Sequence, residues 1–360
     1  MPRDGAPLPA DKKPEPATNP AGEARPSIRA VARRANVSTS TVSRAFSDPR
    51  LLRQDTLQRV QAVAEELRYR PSRTARSLTT GKTGNIGVVV PDLGNPFFPA
   101  VLKGIHARAR EADHSVLLVD SDENPRLELE LIRAMIKQVD GIVLCSSRLT
   151  DEQLVELRDE TRLVLINRRI RDTAAILLDS ANGMRQAVEH LVALGHRRIG
   201  YLSGPALSWS NSERRKGLRQ AGSSLGIEVV ELGVFAPRFE AGQVAADLVV
   251  AKGLSAVIAF NDLMALGVLS RLSNRNIGVP DEISLVGFDD ISMAGMATPP
   301  LTTVALPMEP AGRAAVELLL EQLSGAAVLP HEQVMGAQLI VRGSTAPFRS
   351  DPGAELAGAY

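Results

Sequence analysis

The sequence predicts a small all-α unit at the N-terminus joined to a larger α/β body built on parallel sheets. Three observations carry this reading. Residues 27 to 68 divide into three short apolar-periodic stretches separated by turn signals. From about residue 85, short β-branched runs alternate with amphipathic helical stretches, as parallel sheets covered on both faces require. The charge also divides: residues 1 to 85 hold 16 Lys+Arg against 8 Asp+Glu, a balance of +8 in a chain whose total is +1. A basic N-terminal portion on an acidic body suggests a module that binds a polyanion, attached to a carrier with another task.

The first 26 residues contain seven prolines and only Met1 and Leu8 as larger apolar side chains, so 1–26 is expected to be a disordered tail. Order begins in "PSIRAVARRANVSTSTVSRAF". Ser27 can cap a helix whose Ile28, Val31, Ala32 and Ala35 fall at i, i+3, i+4 and i+7. Asn36 stands where a tight turn needs a residue tolerant of left-handed backbone. Ser38 can cap a second helix reaching Phe46, with Val42, Ala45 and Phe46 on its inner face. A third helix, about Asp55 to Arg68, carries Leu57, Val60, Ala64 and Leu67 inward. Three short helices with a tight turn between the first two make a helix-turn-helix unit.

Beyond Thr83 the apolar runs are "NIGVVVPD", "SVLLVDSD", "GIVLCSS", "RLVLINR", "RIGYLSGP", "SAVIAFND" and "ISLVGFDD". Most end in Asp, Asn, Ser or Arg, at the carboxyl edge where open α/β sheets bind ligands. No Gly-x-Gly-x-x-Gly follows the first strand, so a dinucleotide site has little support. Cys145 permits no internal disulfide and reads as a small buried strand residue; no Cys/His cluster has metal-site spacing, and neither metal nor cofactor is expected. No run approaches eighteen apolar residues and no apolar signal segment follows the early charges. A cytoplasmic protein without membrane insertion is therefore the expectation.

Seven segments, taken in order and spacing, resemble the LacI/GalR family of bacterial transcription regulators: "VSTSTVSRAF", "ELRYRPSRTARSL", "TGNIGVVVPDLGNPFF", "VEHLVALGHRRIGYLSGP", "FNDLMALGVL", "VPDEISLVGFDD" and "PPLTTV". The resemblance spans roughly Ser27 to Ser344. It implies a helix-turn-helix headpiece at 27–71, a hinge helix and linker at 72–84, and a two-lobed, periplasmic-binding-protein-like effector domain at 85–345. The first lobe is placed at about 85–168 plus a late crossover segment, the second at about 169–305 plus the C-terminal segment, and a flexible tail at 346–360. The implied protein is a repressor acting as a homodimer on palindromic operator DNA, its affinity controlled by a small effector. "STAPFRSDPGAELAGAY" at the C-terminus shows no heptads, which favours a dimer over a coiled-coil tetramer.

By the same resemblance the second helix lies in the major groove, which explains five hydroxyls and an arginine in "VSTSTVSRAF". Thr39, Ser40 and Arg44 match base-reading positions, and Arg44 can offer a guanine two donors. Ser38, Thr41 and Ser43 are expected to meet phosphates or cap the helix. "PSRTARSL", Pro71 to Leu78, is too short to be a stable helix alone and is expected to order on DNA. There Leu78 would wedge into the central base step from the minor groove, with Ser72, Arg73 and Ala75 lining that groove. The chain departs from the family in Ser72 for Asn, Ala30 for Asp, Asn36 for Gly, and Arg53 where a capping Ser is usual.

For the effector, the resemblance implies Asn95, Phe97 and Phe98 at the end of the first strand, Arg214 in "NSERRKGL", Asn261 in "AFND", Asp289 in "GFDD", and Phe235 as an aromatic platform. Amide, carboxylate, guanidinium and aromatic groups together suit a sugar-like compound, whose hydroxyls hydrogen-bond while its CH faces stack. Leu306 and Met308 in "LPMEP" are expected to tune selectivity. An exported binding protein would have no use for residues 27 to 80. An enzyme would need a nucleophile–base pair or a phosphate loop; His190 and His196, which bracket a helix end, read instead as caps or surface groups, and no catalytic residue is expected.

Overall fold

A computed structural model of the chain describes residues 27–69, 82–325 and 331–349. The expected tail at 1–26 and the hinge positions Ser72, Arg73, Ala75 and Leu78 lie outside the described residues. The chain divides into two units at Thr83.

In the N-terminal unit the three helices are α1 (Ile28–Arg34), α2 (Thr39–Ser47) and α3 (Gln54–Glu66). Ser27 Oγ accepts the Ala30 N–H and Ser38 Oγ accepts that of Thr41, so both helices begin on a hydroxyl cap. Between them Asn36 adopts φ 51, the left-handed backbone that asparagine tolerates. Val31, Ala32, Ala35, Val42, Ala45, Val60 and Ala64 form the buried core, with Leu57, Leu67 and Phe46 packed against it. Helix α3 starts at Arg53 with no side-chain cap, as that departure from a capping Ser implies.

The body is made of two six-stranded sheets. Strands β1 (Asn85–Val90), β2 (Ser115–Asp120), β3 (Gly141–Cys145), β4 (Leu163–Ile166) and β5 (Ala174–Leu178) join β11 (Glu332–Met335) in the first. Its order is β11-β5-β4-β3-β1-β2, all parallel. The second contains β6 (Arg198–Ser203), β7 (Glu228–Val234), β8 (Ala256–Ala259), β9 (Ser284–Asp289), β10 (Thr302–Ala305) and β12 (Gln338–Ile340). Its order is β12-β10-β9-β8-β6-β7, with only β12 antiparallel. Central strands are buried along their whole length, which is why they read as unbroken apolar runs.

Helices α4 (Phe97–Glu111), α5 (Pro125–Met135) and α6 (Asp151–Glu160) belong to the first lobe. Helices α7 (Ser180–Ala193), α8 (Trp209–Leu225), α9 (Phe239–Ala251), α10 (Asp262–Asn274) and the short α11 (Ser292–Met296) belong to the second. The lobe boundary needs correction: β5 pairs with β4 in the first sheet, so the first lobe continues past 168 and the chain first crosses near Asp179. It crosses back after β10, where α12 (Met308–Leu323) packs on α4, and a third time between β11 and β12. The return is close. A Cβ on Gly312 would lie 2.1 Å from the Val101 carbonyl, so only glycine lets the two helix backbones approach this far.

The flexible tail expected from 346 also needs correction at its start. Ala346 N donates to Ser284 Oγ at 3.0 Å and Phe348 N to Leu194 O at 2.7 Å. His196 is buried rather than on the surface, 2.9 Å from Ser255 Oγ and 3.2 Å from the Ala346 carbonyl. His190 reaches Thr345 Oγ1 at 2.9 Å. Burial pushes both imidazoles below the usual histidine value. Cys145 is buried in β3, and burial pushes its thiol up to about 12. Among the described residues no helix is long and apolar enough to cross a membrane, and no group of three or more His, Cys, Asp or Glu could hold a metal ion.

Candidate functional site

The carboxyl ends of both sheets contribute to one cleft. From the first lobe come Asn95, Phe97 and Phe98 after β1, Glu123 after β2, Ser146 and Arg148 after β3, and Asn167 after β4. From the second come Ser208 and Ser210 after β6, Pro237 after β7, Phe260 after β8, Asp289 ending β9, and Arg214 from α8. A cleft at strand ends is where this sheet order places ligands.

Arg214 is 3% exposed. Its Nη2 donates to Asp289 Oδ1 at 3.0 Å and its Nη1 to the Phe260 carbonyl. The guanidinium lies between two rings, 3.7 Å from the Phe288 centroid and 4.5 Å from that of Phe260. Its buried Nε finds no partner among the described residues. Burial raises the Asp289 carboxyl to about 6 against the opposing pull of Arg214. Asp289 also holds φ 109, a backbone value that favours glycine; strain of this kind concentrates at functional sites.

Across the cleft Arg148 is equally buried. Its Nε and Nη2 donate to the two carboxylate oxygens of Glu123 at 2.6 and 2.9 Å, and Nη1 to the Ser146 carbonyl at 2.5 Å. Phe97 and Phe98 meet edge to face with centroids 5.1 Å apart, both 4% exposed. Asn95 Oδ1 accepts the Phe97 N–H at 3.1 Å, fixing the start of α4. On the opposite wall Asn211 Oδ1 accepts from Tyr201 Oη, Ser203 Oγ and Gly204 N, which steadies the turn that carries Ser208 and Ser210.

Of the seven effector residues expected from sequence, Asn95, Phe97, Phe98, Arg214 and Asp289 are brought together in this cleft. Two are not. Asn261 caps α10 through Met264 N at 3.0 Å and donates to the Pro237 carbonyl at 2.9 Å, so its side chain is spent on holding a wall. Phe235 lies half-buried against the second-lobe core and lines the outer mouth beside Asp122 and Arg238. Leu306 is buried in the core and Met308 packs against that core, and neither lines the cleft. Sequence reasoning missed Glu123, Ser146, Arg148, Asn167, Ser208, Ser210 and Phe260. The signal was available, because each follows a strand of the parallel pattern.

In the N-terminal unit Val42 and Ala45 bury one face of α2 and leave Thr39, Ser40 and Arg44 exposed on the other. Ser38 Oγ lies 2.7 Å from Ser40 Oγ and 2.8 Å from Thr41 Oγ1, a hydroxyl cluster at the helix N-terminus. Ser43 is half-buried. Arg29 and Arg33 line a concave surface with Ser38 and Thr39, whereas Arg34 pairs with Glu66. Exposed cations, hydroxyls and a helix N-terminus together favour phosphate.

A helix-turn-helix unit with an exposed hydroxyl-and-arginine helix, on a chain that folds two parallel-sheet lobes around a polar cleft, defines a class: DNA-binding transcription regulators with a periplasmic-binding-protein-like body. Residues 27–72 match the family described as bacterial regulatory proteins, lacI family, and residues 188–345 the periplasmic binding protein-like domain. The chain belongs to the lacI family. It is 34% identical over 333 residues to the transcriptional repressor CytR of Escherichia coli K12, covering 90% of this chain and 97% of CytR. It is 35% identical over 306 residues to the regulator GalS of Salmonella typhimurium LT2, covering 83% and 90%. Among solved structures, the lac repressor dimer bound to operator and the anti-inducer ONPF superposes with a TM-score of 0.80 at 26% identity, covering 89% of this chain and 99% of the repressor. The CelR–cellobiose complex superposes with a TM-score of 0.67 at 28% identity, covering 89% and 100%.

Proposed function

We propose that this regulator represses transcription by binding a palindromic operator as a homodimer, and that a sugar or sugar derivative held between its lobes controls the binding. The observation that carries the reading is the cleft. Arg214 and Asp289 on one lobe face Asn95, Phe97, Phe98 and the Glu123–Arg148 pair on the other, so one small polar molecule touches both. Similar chains support it: one lac repressor structure is a dimer bound to operator, CelR holds cellobiose, and a lacI-family regulator of Enterococcus faecium holds ribose.

In this reading Thr39, Ser40 and Arg44 meet base edges, Ser38 caps α2, and Thr41 and Ser43 meet phosphates. Leu78 is the minor-groove wedge, with Ser72, Arg73 and Ala75 beside it. A ligand that binds one closure state better shifts the population by its differential affinity and no more. Operator DNA then changes ligand affinity by the same factor, a coupling on the order of 1–3 kcal/mol. No catalytic step belongs to the scheme.

The test has two stages. Selection from random duplexes should return an inverted repeat, and the affinity for it should change with at least one sugar, polyol or nucleoside. An operator affinity indifferent to every such compound would show that the cleft does not control DNA binding.

A further inference from the structure

We infer that the ligand of this cleft is electrically neutral, a polyhydroxylated compound without phosphate or carboxylate. This rests on the reading of the cleft as the effector site and narrows the chemical class it takes.

Cationic side chains are what an anionic sugar derivative would seek. Three arginines line the cleft and its mouth, and each is already paired. Arg148 spends Nε and Nη2 on both oxygens of Glu123 and Nη1 on the Ser146 carbonyl. Arg214 is held by Asp289 and by the Phe260 carbonyl. Arg238, at the mouth, is shared by Asp92 and Asp122. Among the described lining residues and their partners, three guanidinium groups thus meet four carboxylates, a formal balance that repels an anion.

A phosphate or carboxylate entering here has two options. It displaces Glu123 or Asp289 and leaves a buried carboxylate unpaired, or it sits beside both and is repelled; each is strongly unfavourable away from water. Hydroxyl groups meet no such conflict. They donate to the remaining lone pairs of Asp289 and Glu123, while Phe97 and Phe98 offer apolar surface to ring CH groups.

The test is ligand binding to the full chain, by calorimetry and thermal shift, with matched pairs: ribose against ribose 5-phosphate, glucose against gluconate, cytidine against its 5′-monophosphate. The expected result is that at least one neutral member binds, roughly 100-fold tighter than its anionic partner, because the anion must leave a buried charge unpaired. Glu123→Gln, which frees Arg148 from its carboxylate, should shrink that preference. An anionic member that binds as tightly as its neutral partner overturns the inference while leaving the cleft an effector site. A Glu123→Gln preference equal to that of wild type also overturns it, since the pairing would not be the cause. Silence from both series overturns the inference together with the effector reading.

Discussion

Arg238 of the second lobe donates through Nε to Asp92 at 3.2 Å and through Nη2 to Asp122 at 2.6 Å, both on the first lobe. One side chain thus ties the mouth of the cleft across the two lobes. Trp209, which opens α8, adds an apolar tie by packing on the first-lobe cluster of Val89, Leu149 and Leu165. Arg238 is 47% exposed, so its pairs contribute at most about 1 kcal/mol each, enough to bias an equilibrium between open and closed lobes without locking it.

Arg238→Ala should therefore open the cleft at little cost to the fold. Spin labels on the two lobes should report a longer and broader separation, and urea unfolding should show a loss of no more than about 2 kcal/mol, the two pairs together. A separation identical to wild type would assign closure to Trp209 and the three crossings alone.

Asp289 is best probed by two substitutions. Asp289→Ala leaves the buried Arg214 guanidinium without its counter-charge and should cost about 3–5 kcal/mol in urea unfolding. Asp289→Asn keeps an oxygen for Arg214 Nη2 and should cost clearly less while still weakening ligand binding. Equal losses from the two would show that the charge of Asp289 is not what Arg214 requires.

The same residue predicts a pH dependence. Burial raises the Asp289 carboxyl from 3.8 to about 6, so in that window the native protein holds more protons than the unfolded chain. Its contribution to stability accordingly falls as pH rises through the window, with a slope of at most about 1.4 kcal/mol per pH unit. Asp262, fully buried and pushed up by burial and by Asp289, acts with the same sign. Denaturation of wild type and Asp289→Asn between pH 4 and 7 should differ by a reduced slope in the variant; parallel curves would count against a raised Asp289.

Arg44 is exposed on α2 and its side chain makes no ion pair or hydrogen bond among the described residues, its carbonyl alone accepting the Asp48 N–H, so truncating the side chain should spare the headpiece fold. Arg44→Ala should cost about 1–3 kcal/mol of operator affinity and relax discrimination at one base pair in each half-site. Uniform weakening across all sequences would reassign it to phosphate contact.

Gly312→Ala tests the helix contact that returns the chain to the first lobe. The added methyl would lie 2.1 Å from the Val101 carbonyl, so α4 and α12 must separate. A loss of about 1–3 kcal/mol in urea unfolding is expected, as for other overpacked sites. An unchanged midpoint would mean that the helices part without cost.

Much of the fold was legible because its signals are local. Caps at Ser27 and Ser38, the left-handed turn at Asn36 and the apolar faces of α1 to α3 depend on residues within one or two helical turns. The seven apolar runs became β1, β2, β3, β4, β6, β8 and β9, and in all but the edge strand β2, none of whose residues is fully buried, burial on both faces leaves its mark within the strand. The polar residues that end them were visible too, and the rule that ligands sit at strand ends extends to Ser146, Arg148 and Asn167.

Tertiary structure decided how those pieces combine. Nothing within "AAILL" tells β5 to pair with β4 rather than to open the second sheet; that choice depends on β4 and β11, the latter more than 150 residues away in sequence. Asn261 carries the side chain of a ligand contact but is consumed as a helix cap, because Met264 N and the Pro237 carbonyl lie within its reach. Arg214 and Asp289 were both readable as site residues, yet that they neutralise each other across 75 positions was not. A side chain's chemistry belongs to the sequence; which of its donors and charges remain free for a ligand depends on neighbours that only the folded chain supplies.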